Sequence, residues 1–177
     1  MKAIFALLWC LCCLCCSATL AQTQNVKLFL VNATLHPNND NCDKVAAVTR
    51  AVPVTPAVAS AALRALFRGV TETEKSAGYE SLFSEETANI LKKINIKSGV
   101  AYVNLADEVR TKLGNATSSC GRATFFAQTE QTLMQFTAVK KVVFAISDSP
   151  KEFYAWMEFD ALACRKAIHR CKSLPFK

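Results

Sequence analysis

The sequence predicts an α/β fold with a single small sheet and two main helices packed on it. Three observations carry this expectation. Short, β-prone apolar runs recur along the chain, as at residues 26–31 and 142–146. Two longer stretches, at 56–68 and 122–136, repeat their apolar residues at helical spacing. Strands interleaved with amphipathic helices imply helices lying on a sheet.

Residues 1–21 read as an export signal. Lys2 precedes an apolar run over 3–16, and Ser17-Ala18-Thr19-Leu20-Ala21 supplies small residues for cleavage after Ala21. The run is shorter than the ~20 residues of a membrane span, and no later stretch approaches that length. The mature chain is therefore expected to be secreted, with no transmembrane segment. The expected organisation is a signal over 1–21, one domain over 22–150 and a C-terminal extension over 151–177. Cys10, Cys12, Cys13, Cys15 and Cys16 leave with the signal. Cys42, Cys120, Cys164 and Cys171 stay, and an even set in an exported chain points to two disulfides with three possible connectivities. The net charge of +7 falls by one with Lys2 and is spread along the chain, a weak preference for polyanionic surfaces such as cell-wall polymers or phospholipid headgroups. Nucleic acid is not an expected partner, because the aromatic-basic interleaving of single-strand binders is missing.

Residues 26–31 read as a buried strand, followed by a polar loop over 32–44. Residues 45–54 alternate loosely and read as an edge strand. Thr55-Pro56 then opens a helix, with Thr55 as cap and Pro56 where its missing N–H costs nothing. Ala59, Ala62, Leu63, Leu66 and Phe67 form its apolar face, Arg64 and Arg68 point away, and Gly69 closes it. Thr71-Glu72-Thr73-Glu74 is a capping box for a short helix ended near Gly78-Tyr79. Residues 90–96 and 100–105 flank Lys97-Ser98-Gly99 as a hairpin. Residues 107–113 read as a helical turn or two. In the second long helix Ala123, Phe126, Ala127, Leu133 and Met134 form the apolar stripe, interrupted by Glu130. Residues 142–146 are the last clear strand, Ser147-Asp148-Ser149-Pro150 is a turn, and 153–159 read as a final strand before a basic tail.

These features resemble the GerMN domain, named from a spore-germination protein and found in exported bacterial proteins and lipoproteins. The likeness runs from Val26 to about Ile146. It rests on Cys42-Asp-Lys-Val45, Val48-Thr-Arg50-Ala-Val52, Thr55-Pro-Ala-Val-Ala59, Ala62-Leu63, Leu66 and Gly69. It continues in Glu74-Lys-Ser-Ala-Gly78-Tyr79, Gly99-Val-Ala-Tyr-Val103 and Ser119-Cys120. Its most specific part is Ala127-Gln128-Thr129-Glu130-Gln131-Thr132-Leu133, with Gln135-Phe136 and Val139-Lys-Lys-Val142-Val143. Two departures stand out. Asn104 occupies a position that is often Asp in the family, and the turn at 147–150 lacks the family's usual Gly. The resemblance implies a small α/β fold related to ring-building motifs, and a non-catalytic role in envelope or spore biology. It also implies a Cys42–Cys120 disulfide. Cys164 and Cys171 then remain, and in a straight helix residues seven apart are separated by ~10.5 Å. A disulfide needs Cα atoms within ~7 Å. Either the tail is broken or looped and they pair, or they pair elsewhere.

Other chemistry is thinly supported. His36 and His169 sit in no zinc-protease motif, and Cys164, His169 and Cys171 lack paired metal-ligand spacing and a fourth partner. Neighbouring carboxylates Glu85-Glu86 and Asp107-Glu108 diverge on any element. No cofactor or metal is expected. Asn32-Ala33-Thr34 and Asn115-Ala116-Thr117 are N-glycosylation sequons, usable in a eukaryotic secretory route and inert in a bacterium. Tyr154 and Trp156, spaced two apart, offer either core packing or an aromatic partner platform. Arg165, Lys166, Arg170 and Lys172 make the tail either an anion-gripping or a merely solvated segment. The expectation is a secreted, non-enzymatic binding or assembly domain. Its partner is a protein, an envelope polymer or a second copy. The rivals are a secreted hydrolase of wall polymer and a secreted inhibitor or effector.

Overall fold

The computed structural model describes residues 22–35 and 42–159. Its strands divide between two three-stranded sheets where the sequence suggested one. In the first, the order is β2-β1-β3, built from β1 (Thr23–Asn32), β2 (Ala46–Pro53) and β3 (Tyr79–Glu80). In the second, the order is β4-β5-β6, built from β4 (Leu91–Lys97), β5 (Val100–Leu105) and β6 (Lys141–Ile146). All pairs are antiparallel except β5 with β6, which is parallel. The parallel pair needs a long crossover, supplied by α3 (Val109–Lys112) and α4 (Ser119–Met134).

The helix α1 (Val58–Phe67) touches β1, β2 and β4, while α4 touches β1 and β6, so the two helices join both sheets in one core. The buried face of α1 is Ala59, Ala62, Leu63, Leu66 and Phe67, as its spacing demands. The helix begins later than its sequence suggests. Thr55 Oγ1 accepts from the Ala57 amide at 3.1 Å, and no side chain caps the first turn proper. Gly69 ends the helix in the left-handed region at φ 80°, and a Cβ there would lie 2.4 Å from the Phe83 carbonyl. The Thr71–Glu74 capping box opens α2 (Glu72–Ser76).

Two elements depart from the sequence reading. Residues at the C-terminal end of the described chain form a helix, α5 (Pro150–Trp156), instead of a strand; Ser149 accepts from the Glu152 amide and Pro150 fills the first turn. The buried face of α4 also differs from the expected stripe. Gly121, Phe125, Gln128, Thr129, Thr132 and Leu133 are buried, whereas Met134 is 46% exposed. The ring of Phe125 meets those of Phe83, Phe126, Phe144 and Phe153, and this aromatic cluster joins α4 to β6 and α5.

Candidate functional site

The polar face of α4 is buried because it hydrogen-bonds strand backbone. The even residues of β1 turn their backbone groups toward β2, as the Val54 N–H to Gln22 C=O bond at 2.9 Å fixes by register. The odd residues turn theirs to the other side. There the Phe29 N–H donates to Thr132 Oγ1 at 3.1 Å and the Lys27 N–H to Gln135 Oε1 at 2.8 Å. Gln135 Nε2 donates back to the Lys27 carbonyl at 2.6 Å. Gln128 Oε1 accepts from the Leu82 amide at 3.0 Å, just past β3. Helix side chains thus replace a neighbouring strand, and the second edge of β1 is sealed. The run from Gln128 to Gln135 that carried the resemblance supplies these contacts.

The opposite edge of this sheet is open. Among the described residues β2 is terminal in the strand order, so Ala47, Thr49 and Ala51 each turn one N–H and one C=O outward with no described strand beside them. Their side chains are small, uncharged and exposed. The one charged residue of β2, Arg50, is drawn inward. It donates to the Ala65 carbonyl at 2.7 Å and the Gly69 carbonyl at 3.0 Å, capping α1, and it pairs with the Glu74 carboxylate. Beside β2 lies a groove of about 570 Å³ walled by Arg50–Pro53 and by the exposed flank of α1. A second groove, of about 690 Å³, opens on the outer face of β1 and β2, between Lys27, Phe29, Thr49 and Met134.

Other residues singled out in the sequence are dispersed. Cys42 and Cys120 form a disulfide with a Cα–Cα distance of 5.3 Å, and Thr124 Oγ1 donates to the Cys42 carbonyl beside it. Asn32 is buried, and its Oδ1 accepts from the Thr34 and Leu35 amides at 3.0 Å, so a glycan there would have to break that turn. Asn115 is exposed in the turn Gly114–Thr117. Tyr154 is only 7% exposed and packs against Phe153 and Phe159, which withdraws it from any surface platform. Trp156 is half-buried against Phe153. His36, Cys164, Arg165, Lys166, His169, Arg170, Cys171 and Lys172 lie outside the described residues. Asp107 pairs with Arg110, which also holds Glu152, while Asp148 bonds Asn104 and Glu85 lines the β2 groove. No group of His, Cys, Asp and Glu suited to a metal ion occurs among the described residues, and no described helix is long and apolar enough to cross a membrane.

The two departures from the family pattern meet in space. Asn104, buried in β5, donates from Nδ2 to Asp148 Oδ1 at 2.8 Å and accepts the Asp148 amide at 2.9 Å. Ser147 and Asp148 both hold positive φ, 47° and 68°, and the Asn104 side chain fixes this glycine-free turn.

Fold and site together define a small mixed α/β domain with one sealed and one open sheet edge. The fold is similar to that of the tandem GerMN domains of the sporulation protein GerM from Bacillus subtilis, with a TM-score of 0.50 and 21% identity over 71% of this chain. That match spans 40% of the tandem chain, less than half its length. The first GerMN domain of the same protein aligns with a TM-score of 0.49 and 20% identity, covering 71% of this chain and 84% of that one. No curated protein matches the chain. The family described as "Germane: Sporulation and spore germination" matches residues 27–152, and the chain belongs to it.

Proposed function

We propose that this chain is an exported, non-catalytic GerMN-like domain that acts by binding or assembly at the cell envelope, in spore formation or germination. Export is supported by the signal pattern of residues 1–21 and by the Cys42–Cys120 disulfide. The family description and the name of the sporulation protein GerM support the setting. The observation that carries the binding reading is the contrast between the two edges of the first sheet. One is sealed by Thr132 of α4 and by Gln135 at its end, with Gln128 holding Leu82 just past β3; the other offers backbone unpaired among the described residues beside a groove. A hydrolase would need two carboxylates converging on one cleft. Asp107 and Asp148 are instead tied to separate partners, and Glu85 stands alone in its groove.

Two measurements on material from the native host test this. Intact mass before and after reduction should show loss of residues 1–21 and a gain of two hydrogens for each disulfide. The chain should also co-sediment with envelope material under conditions in which no wall polymer is cleaved. Retention of Met1 with freely alkylated thiols would remove export. Cleavage of wall polymer that survives purification to homogeneity would remove the non-catalytic reading.

A further inference from the structure

We infer that the slot between β2 and α1 receives one extended, acidic segment of another protein as an added strand of the first sheet. This rests on the binding reading above and names the surface and the chemistry of the partner. The backbone of β2 presents alternating outward donors and acceptors at Ala47, Thr49 and Ala51, the ladder that an incoming strand completes.

Exposed edges are ordinarily blunted, because bare ones invite pairing. The outer strand of the second sheet follows that rule: β4 carries Lys92, Lys93 and Lys97, with a register irregularity between Leu91 and Lys93. From Ala46 to Val52 β2 carries no such guard, and a proline, Pro53, closes only its last position. Its only charge is Arg50, turned away and bound to Glu74 and to the end of α1.

The neighbouring helix forms the other wall of the groove beside β2. The lining of the groove includes Ala57, just before α1, and Ala61 and Ala65 on its flank, all short enough to leave a floor for side chains from an added strand.

Charge selects the occupant. Arg64 and Arg68 line the same groove, are exposed, and make no ion pair with a described residue; the acid in the lining is Glu85. The two arginines are four residues apart, a rise of about 6 Å along α1. Alternate residues of a strand are about 6.6 Å apart on one face. A segment with acidic side chains at i and i+2 therefore sets one carboxylate by each guanidinium. A second copy of this chain is disfavoured, since two-fold pairing of β2 with itself would bring the Arg64 and Arg68 rows of both copies together.

The full chain, labelled with nitrogen-15, tests the inference with three capped eight-residue probes. One alternates Glu with Val, one replaces each Glu by Lys, and one is the Glu peptide with alternate backbone amides methylated. The Glu peptide should shift the Ala47, Thr49 and Ala51 amides and slow their exchange. Arg64→Ala with Arg68→Ala should weaken it at least about fivefold, and added salt should weaken it further. The methylated and Lys peptides should leave those amides unmoved. Equal binding of Glu and Lys peptides, or no shift at β2 with any probe, overturns the inference. Broadening of the same amides with protein concentration alone, without peptide, also overturns it, in favour of a second copy. A photoreactive side chain placed at Thr49 or at Lys97 separates the two levels of the argument on envelope material. Retention with no adduct from Thr49 sinks the edge assignment and leaves the binding reading standing; absence of retention sinks the binding reading itself.

Discussion

Replacing Asn104 by Asp tests whether the buried amide and the glycine-free turn are a matched pair. In the native chain Nδ2 donates to the Asp148 carboxylate at 2.8 Å and Oδ1 accepts its amide at 2.9 Å, with Asn104 only 2% exposed. Asn104→Asp keeps the acceptor and turns the donor into a second carboxylate oxygen. The loss of a hydrogen bond to a charged group, about 1.5–3 kcal/mol, adds to like-charge repulsion that the exposure of Asp148 moderates. We expect a cost of about 3 kcal/mol at pH 7, a large part of the stability of a domain this size. The folded state raises the pKa of the new carboxyl, so it binds more protons than the unfolded chain. The penalty is then absent below the unfolded value, near 3.9, and grows as pH rises to the folded value. Asn104→Asp with Asp148→Asn reverses the donor and acceptor and should restore stability to within about 1 kcal/mol, because Asn also tolerates the positive φ at that position. Urea unfolding followed by Trp156, which sits in the adjacent helix α5, measures all three proteins between pH 4 and 8. An additive double variant, or a single-variant penalty independent of pH, would refute the pairing.

Three further outcomes follow from the packing. Thr132→Val removes the buried hydroxyl that accepts from the half-buried Phe29 amide and should cost about 1–3 kcal/mol in urea unfolding, while Thr132→Ser keeps most of the stability. Gly69→Ala drives a Cβ to 2.4 Å from the Phe83 carbonyl at φ 80°, so its thermal midpoint should fall by several degrees, where a helix-interior Gly→Ala would raise it. Cys42→Ser with Cys120→Ser opens a link of sequence separation 78 and should lower unfolding free energy by about 4 kcal/mol on the chain-entropy account, read as a lower urea midpoint.

Much of the fold was legible because local chemistry and burial agreed. The α1 face, the Thr71–Glu74 box and the Ser98-Gly99 hairpin turn each pair a local signal with a tertiary role. The face of α4 was not legible, because periodicity counts Gln128, Thr129 and Thr132 as polar and therefore outward. Their hydrogen bonds to β1, to Leu82 and within the helix let them be buried. In α5 the two-residue spacing of Tyr154 and Trp156 imitated a strand, although Ser149-Pro150 already carried a helix start. The two-residue strand β3 is too short for any pattern. The candidate site was half visible: residues 45–54 read as an edge strand, but the groove that α1 forms beside β2 is a tertiary relation that no local pattern contains.

A sheet closed by a helix on one margin and bare on the other has a direction. Whatever joins β2 finds no second β2 beyond it on the same molecule, and the α4 side chains hold the far margin shut. A copy of this chain therefore has no free far margin to offer to the bare one, and head-to-tail stacking of sheets is closed off. The architecture discourages open-ended fibres of this chain, a safeguard for a protein that displays unpaired backbone to its surroundings.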